Sequence, residues 1–171
     1  AQVDATVATV VLDKDGKIVA CRLDAIQNKV NYADGAYTIA DEYKTKAELK
    51  EAYNMAAFGH SLVGNETVKE WYIQAQAFEA YVVGMTSAQV AAIETAPKGA
   101  YGYVIATDEK LLNAGCTIQI GEFRDAVVAA CKDDQAATFT TSKTFTVGVA
   151  AKGSLDTHDK QYKNATADAD G

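Results

Sequence analysis

Two β-rich segments joined by a turn motif define the first part of the chain. Residues 3–12 (VDATVATVVL) and 17–26 are rich in strand-forming residues, and residues 13–16 (DKDG) lie between them. Aspartate and glycine favour tight turns, because glycine adopts a positive φ without steric cost. The sequence therefore predicts a β-hairpin. The DKDG motif also resembles the start of a calcium-binding loop, but the other ligand positions of such a loop are missing, which favours a plain turn.

Three capping boxes predict helix starts in the middle of the chain: Thr45 with Glu48, Thr67 with Glu70, and Thr86 with Gln89. In a capping box each of the two side chains accepts a hydrogen bond from the other residue's backbone N–H. The first helix is expected to end before Gly59. The second is the principal amphipathic helix, because apolar residues recur at helical spacing over residues 68–82 until Gly84 ends the pattern.

A short strand followed by a helix is predicted near residue 117. Residues 117–120 alternate in hydrophobicity and contain β-branched residues. Gly121 is an acceptable N-cap, and Glu122 places a negative charge at the positive end of the helix dipole. Thr117 is therefore expected close to a helix N-terminus, where unpaired N–H groups are able to hold a phosphate.

Shorter elements and loops are predicted elsewhere. Residues 31–35 indicate a turn, and residues 36–39 a short edge strand. Residues 97–108 indicate a loop that leads into a strand at residues 101–106. Asp108 is expected to cap a short turn that follows.

Composition limits the classes of partner. The chain has 171 residues, a formal net charge of −7 and a pI near 4.8, whereas proteins bind nucleic acids and anionic lipids through lysine and arginine. We therefore expect no nucleic-acid partner. No run approaches the roughly 18 apolar residues of a transmembrane helix, so we expect no membrane span in this chain.

The three cysteines cannot all pair within the chain. Cys21, Cys116 and Cys131 have a spacing that matches no metal-binding or redox motif, and their surroundings suit small buried hydrophobic residues. His60 and His158 form no recognisable metal or hydrolase motif. The sequence therefore predicts no metal site and no catalytic residues.

The composition divides the chain into three parts. Residues 1–135 contain the predicted hairpin and helices and are expected to form the domain. Residues 136–152 are β-rich, and a strand at residues 144–150 either closes the sheet or pairs with a neighbouring unit. Residues 153–171 are polar without an apolar period, which predicts a tail or linker.

A family resemblance covers roughly residues 3–132. It rests on four segments: VVLDKDGKIVACRLDAIQNKVNY, TKAELKEAYNMAAFG, KEWYIQAQAFEAYVVGMTSAQVAAI and TIQIGEFRDAVVAAC. In this order they resemble a repeat in surface lipoproteins of anaerobic Gram-positive bacteria that is related to the FMN-binding domain family. In that family an Asp-x-x-Ser/Thr-Gly-Ala/Ser-Thr motif opens a helix, and its last threonine carries FMN through a phosphoester bond. Gly115, Cys116 and Thr117 match the end of the motif approximately, whereas Leu111 and Ala114 depart from it.

The resemblance implies an extracytoplasmic, cell-surface protein with FMN as its cofactor. It implies that Thr117 holds the flavin, that Gly121 and the helix start hold the phosphate, and that Trp71 or Tyr81 contacts the ring. The residues alone allow a simpler interpretation, in which Thr117 is a strand residue and Trp71 packs in the core. Tyr81 falls beside the apolar stripe of its helix and is expected to be partly exposed.

We therefore expect an α+β fold, in which an antiparallel sheet has helices packed on one face. The sheet is expected to contain the hairpin and strands at residues 117–120 and 144–150. The leading functional hypothesis is a non-catalytic module of FMN-binding-like ancestry that carries flavin for electron transfer to a redox partner.

Two alternatives remain open, and one of them needs no cofactor. The first is a structural or adhesive surface repeat that has lost the flavin site and pairs with a neighbouring repeat, or with a second copy, through an edge strand. The second is a small-molecule-binding domain whose pocket is lined by Tyr101 and Tyr103. Packing of these rings against the core would disfavour it.

Overall fold

The computed structural model describes residues 2–34, 36–39, 43–64, 66–141 and 146–150. Within them the chain has the predicted α+β fold, with two antiparallel sheets. The larger sheet has the order β1-β2-β3, from Gln2–Leu12 (β1), Ile18–Ala33 (β2) and Ala36–Ile39 (β3). The smaller sheet pairs Thr95–Lys98 (β4) with Tyr103–Ala106 (β5). The α-helices are α1 (Lys46–Leu49), α2 (Trp71–Val82), α3 (Ser87–Ala91), α4 (Glu109–Ala114) and α5 (Gly121–Cys131).

The predicted first hairpin is confirmed, and Asp13 closes its turn. Oδ1 of Asp13 accepts hydrogen bonds from the backbone N–H groups of Asp15 and Lys17, each at 2.9 Å. Gly16 has the positive φ of 72° that the turn requires. A register shift between Val11 and Leu12 then sets the pairing at the turn end of the two strands.

Strand β1 pairs with one edge of β2. Along residues 18–23, the opposite edge of β2 is covered by α2 and the residues that follow α2. The N–H of Leu23 donates to the Glu79 carboxylate at 2.7 Å. The N–H of Ile18 donates to the carbonyl of Met85 at 2.9 Å, and its carbonyl accepts the N–H of Gly84 at 2.7 Å. These groups take the backbone positions that a further strand would use, so the sheet gains no strand along this part of β2.

The predicted strand at residues 117–120 is wrong. The N–H groups of Thr117 and Ile118 donate to the side chain of Gln74, and Gln119 forms only an isolated bridge with Ile105. Of the strand predicted at residues 144–150, residues 146–150 are not in a strand, and residues 144 and 145 lie outside the described residues. The predicted tail at residues 153–171 also lies outside them.

The third strand is β3, which confirms the predicted edge strand. It pairs with the last residues of β2, since Val30 lies opposite Ile39 and Ala33 opposite Ala36. The turn predicted over residues 31–35 is therefore shorter than expected. Asp34, at φ 54°, follows directly after β2.

The first and third predicted capping boxes are confirmed, at the starts of α1 and α3. Helix α1 is short because Lys50 and Asn54 have positive φ values of 49° and 61°. The chain continues as two 3₁₀ turns, Lys50–Tyr53 and Met55–Phe58, and not as one helix up to Gly59. The physical reason is that residues in the left-handed region cannot continue a right-handed helix.

The second predicted capping box is wrong. Helix α2 begins at Trp71 with Glu70 as its N-cap, and Thr67 lies in an isolated β-bridge. The Glu70 carboxylate accepts the N–H groups of Met55 and Ala56, at 2.9 and 3.4 Å. Glu70 therefore ties the second 3₁₀ turn to the start of α2.

The predicted loop at residues 97–108 is shorter than expected, because Pro97 and Lys98 belong to β4. Proline is tolerated there because β4 pairs only with β5 within the described residues, so β4 is an edge strand. The strand predicted at residues 101–106 is confirmed as the shorter β5. The predicted cap is also confirmed, since Asp108 accepts the N–H groups of Lys110 and Leu111 at the start of α4.

The core lies between the hairpin and the helices α2 and α5. Helix α2 packs on β2 and α5 packs on β1. Phe78 and Val82 of α2 and Val127 of α5 are fully buried, and each contributes on the order of 1.5–3 kcal/mol to folding. The rings of Trp71 and Phe78 in α2 contact Phe123 of α5, and Trp71 and Phe123 meet at the cleft described next.

Candidate ligand-binding cleft

A cleft of about 530 Å³ opens beside the starts of α2 and α5. This volume lies in the range of small-molecule sites, roughly 300–1,000 Å³. Six of its lining residues are aromatic: Tyr53, Phe58, Trp71, Tyr101, Tyr103 and Phe123. We call it the aromatic cleft. Its walls come from segments that are distant in sequence, so only the fold brings these rings together.

Trp71 and Phe123 form the floor of the aromatic cleft. Trp71 is the first residue of α2 and Phe123 lies in the first turn of α5, and both are buried. Their ring centroids are 5.5 Å apart with an interplanar angle of 85°, which is a favourable edge-to-face arrangement. The interpretation of Trp71 as a core residue is confirmed, and the same residue also lines the cleft.

The rim of the aromatic cleft carries exposed rings. Tyr101 is 84% exposed and Tyr103 37%, with ring centroids 5.9 Å apart, and Phe58 is 71% exposed. Gly99 has a φ of 72°, and a Cβ there would lie 3.1 Å from Cδ2 of Leu62. The loop before β5 thus approaches the opposite wall closely at a glycine. Packing of the tyrosine rings against the core would have disfavoured a small-molecule site. The Tyr101 ring is exposed and is not packed in this way.

Thr117 lies in the cleft wall and is only 6% exposed. Oε1 of Gln74 accepts the N–H of Thr117 at 2.8 Å, its hydroxyl at 3.4 Å, and the N–H of Ile118 at 3.1 Å. Nε2 of Gln74 donates to the carbonyl of Lys69 at 2.7 Å. Sequence reasoning missed Gln74. The available signal was a polar residue on the apolar stripe of α2, where a buried side chain must find hydrogen-bond partners.

The start of α5 differs from the prediction by one residue. Ile120 is the N-cap and Gly121 is the first helical residue, and Gly121 does not line the aromatic cleft. Glu122 does line it, and its carboxylate accepts the Thr6 hydroxyl at 2.8 Å. A carboxylate in the first turn already complements the helix dipole.

Tyr81 lies outside the aromatic cleft. It is half-buried, which confirms its predicted partial exposure. Burial, together with a hydrogen bond from its hydroxyl to the Asp108 carboxylate, raises the pKa of Tyr81. The structure therefore brings together two of the four predicted site residues, Trp71 and Thr117, and places Tyr81 and Gly121 elsewhere.

The described residues do not fit an FMN phosphate attached to Thr117. The Thr117 hydroxyl is buried and donates to Gln74, and the nearby N–H groups of Thr117 and Ile118 are also taken by Gln74. The Glu122 carboxylate in the same cleft would repel a phosphate. The rings of the cleft are compatible with the flat, apolar part of a flavin. The position predicted for the phosphate is not compatible with the negative charge of a phosphate group.

The cysteines behave as small apolar side chains. Cys21 and Cys116 are buried and Cys131 is half-buried, and all three are free thiols. Burial raises the pKa of the Cys21 and Cys116 thiols to about 12, with a smaller contribution from Glu79 at Cys21. Both thiols are therefore protonated and unreactive near pH 7. The part of the chain that the structure describes contains no group of three or more metal-ligating side chains.

Comparison with known proteins adds no identification. No protein-family model matches the sequence, and no curated protein or solved structure is significantly similar to the chain. Among the described helices, none has the length and apolar character needed to cross a bilayer. The class of protein is therefore defined by the fold and the cleft alone: an α+β domain with an aromatic-lined cleft.

Proposed function

We propose that this chain is a non-catalytic module that binds a flat aromatic small molecule, without a covalent bond, in the aromatic cleft. One observation carries the proposal: six aromatic rings from distant parts of the chain converge on one cleft of about 530 Å³. Exposed aromatic surface is costly in water and is a frequent mark of a binding site. Tyr101 and Tyr103 offer ring surface at the rim, and Trp71 and Phe123 close the floor.

Flavin is one ligand of the proposed class. The resemblance to the FMN-binding family supports it, together with an extracytoplasmic, cell-surface location and a redox partner there. In such a module the flavin supplies the electron-transfer chemistry. The residues of the aromatic cleft would hold its ring and exclude water from one face.

The second candidate is a structural or adhesive surface repeat of the same ancestry. It is favoured by Gln74, whose Oε1 accepts the N–H and the hydroxyl of Thr117. It is also favoured by the Glu122 carboxylate, which lines the same cleft and would repel a phosphate. In this reading the partner is a neighbouring repeat or a second copy, and the exposed rings contact that partner.

Titration with riboflavin, which has the flavin ring but no phosphate, tests the proposed function. We expect quenching of flavin fluorescence with one binding site. Tyr101→Ala should weaken binding roughly tenfold, as expected for the loss of one aromatic contact. The matched control is Phe139→Ala, because Phe139 is 58% exposed and does not line the cleft.

Three results would contradict the proposal. The first is no quenching up to the solubility limit of riboflavin. The second is equal weakening by Tyr101→Ala and Phe139→Ala. The third is a mass increase of one FMN residue on the Thr117 peptide after co-expression with a flavin transferase, which would establish covalent attachment instead.

A further inference from the structure

One positively charged side chain already lies among the rings of the aromatic cleft. Nζ of Lys46 is 5.1 Å from the ring centroid of Tyr53 and 5.9 Å from that of Trp71. A cation within about 6 Å of a ring centroid is attracted by the negative face of the ring. The part of the cleft that Tyr53 and Trp71 form therefore accommodates a positive charge.

The position of Lys46 is not explained by an ion pair. The side chain is half-buried, and its ammonium group forms no salt bridge with any residue that the structure describes. Its charge does act on Asp4, whose pKa is lowered foremost by a hydrogen bond from Gln2 and in smaller part by Lys46. The direct interactions of the ammonium group are thus with the two rings.

A carboxylate lies in the same cleft and keeps one oxygen for a ligand. Oε2 of Glu122 accepts the Thr6 hydroxyl at 2.8 Å, whereas Oε1 has no hydrogen-bond partner among the described residues. Glu122 and Lys46 both line the aromatic cleft, but they do not form a salt bridge with each other. The carboxylate is therefore available to a positive charge that a ligand brings.

Lys46 and Glu122 carry the formal charges among the described residues that line the aromatic cleft. His60 lines it as well, and this side chain has an interaction of its own. Because the stem of a lysine is flexible, the Lys46 ammonium is able to leave the rings for solvent. Of these lining groups, Glu122 then remains as the charged one, and its charge is negative.

The charges next to the lining residues nearly balance. Within two positions of a lining residue the sequence has six acidic residues: Asp4, Glu48, Glu51, Glu66, Glu70 and Asp125. Over the same positions it has five basic residues: Lys29, Lys44, Lys69, Lys98 and Arg124. The sign of the charge that a ligand meets is therefore decided by the groups in the cleft itself.

We infer that the flat ligand of the aromatic cleft carries a positive charge, which replaces the Lys46 ammonium against Tyr53 and Trp71 and has Glu122 as its counter-charge. This inference rests on the proposed function and specifies its ligand as an aromatic cation, such as a ring whose nitrogen bears an alkyl group. The formal net charge of −7 attracts such a ligand to the chain. Lys46 is then an internal competitor of the ligand.

Three compounds of similar shape test the sign of the charge on the full chain. N-methylquinolinium and 1-methylnaphthalene have the same two-ring outline, and only the first is charged. The third compound, 1-naphthoate, carries a negative charge instead. Equilibrium dialysis measures the three affinities. We expect the cation to bind roughly tenfold more tightly than the neutral compound, as a partly desolvated cation–π contact provides, and the anion to bind most weakly.

Glu122→Gln should remove most of the advantage of the cation, because the counter-charge is lost. The glutamine keeps an acceptor for the Thr6 hydroxyl, so the fold is retained. The matched control is Asp125→Asn, which removes the same charge from an exposed position of α5 outside the aromatic cleft. The control should leave the three affinities unchanged.

Lys46→Met should raise the affinity of the cation roughly threefold or more, because it removes a like charge and frees the two rings. The affinity of an anionic ligand would fall in the same variant. The matched control is Lys14→Met at the β1–β2 turn, which removes an exposed lysine charge outside the aromatic cleft.

Equal affinities of the cation and the neutral compound, or tightest binding of the anion, would overturn the inference and leave the proposed function standing. An advantage that survives in Glu122→Gln would also overturn it, and so would an affinity of the cation that does not rise in Lys46→Met. Failure of all three compounds to bind would overturn the inference if riboflavin still binds. If riboflavin also fails to bind, the proposed function itself is contradicted.

Discussion

At the scale of single residues, Gln74 connects the candidate site to the core. Its side chain is fully buried and joins α2 to the segment before α5 through Thr117 and Ile118. The sequence identified Thr117 and the exposed tyrosines as site candidates from residue type and position. It did not identify Gln74, because the N–H groups that Gln74 satisfies lie more than forty residues away.

Gln74→Ala should lower the free energy of unfolding by about 2–4 kcal/mol. The substitution leaves the N–H groups of Thr117 and Ile118 buried without an acceptor, and each unsatisfied group costs about 1–3 kcal/mol. Urea unfolding measures the loss. The control is Gln76→Ala on the exposed side of the same helix, which should change stability by about 0.5 kcal/mol or less. Equal effects of the two variants would refute the structural role of Gln74.

At the scale of elements, the successful predictions depended on local signals. The turn at Asp13 and the capping boxes at Thr45 and Thr86 involve residues within four positions of each other, so the sequence pattern contains the whole interaction. The failures involve distant partners. Glu70 binds the 3₁₀ turn at Met55 instead of completing its own box. Thr117 and Ile118 donate to Gln74 instead of to a neighbouring strand. Strand propensity is readily overridden by such tertiary contacts.

The contact between α2 and β2 depends on Glu79 and on pH. Burial raises the pKa of Glu79 above its ordinary value of 4.5, against the opposing effects of the Leu23 N–H and the Arg22 guanidinium. The carboxylate lies 2.8 Å from Nη1 of Arg22. A raised folded-state pKa means that folding favours the protonated carboxyl group. The stability that protonated Glu79 contributes is therefore fully present below pH 4.5, and it is lost as the pH rises through the folded-state pKa.

Glu79→Gln should therefore gain stability relative to the unmodified chain as the pH rises from about 4 to 7. The glutamine keeps an acceptor for the Leu23 N–H and carries no charge to bury. Urea unfolding across this pH range gives the free energy of unfolding of both proteins. The contributions of the other titrating groups cancel in the difference between the two values. Glu79→Ala should lose about 2–4 kcal/mol, because the Leu23 N–H and Arg22 lose their partner. If Glu79→Gln instead lost stability relative to the unmodified chain as the pH rises, the raised pKa of Glu79 would be contradicted.

At the scale of the whole molecule, the described core lies within the predicted domain of residues 1–135. Among the residues that the structure describes, every buried apolar side chain falls between Ile18 and Val127. Residues 133–141 are exposed, and residues 146–150 are exposed or half-buried. The sequence indicated this boundary through its change in composition. It suggested a pocket lined by Tyr101 and Tyr103 as one alternative. It did not predict that Tyr53 and Trp71 would line the same cleft, because these rings meet Tyr101 only through the tertiary fold.

A chain that ends at residue 135 should therefore keep its stability. We expect its free energy of unfolding to lie within about 0.5 kcal/mol of that of the full chain, with an equal urea m-value, because m follows the surface buried on folding. A chain that ends at residue 120 is the control. It lacks Phe123 and Val127 of α5, so it should fail to fold.

The same two chains separate the remaining interpretations of residues 136–152. A lower m-value and a loss of about 2 kcal/mol or more in the chain ending at 135 would show that this segment closes the sheet of its own domain. Unchanged stability with self-association of the full chain alone, measured by sedimentation, would assign the segment to pairing with a second copy, since an unpaired edge strand recruits another chain. Unchanged stability with both chains monomeric would leave the domain complete at residue 135, and binding in the aromatic cleft should then be equal in the two.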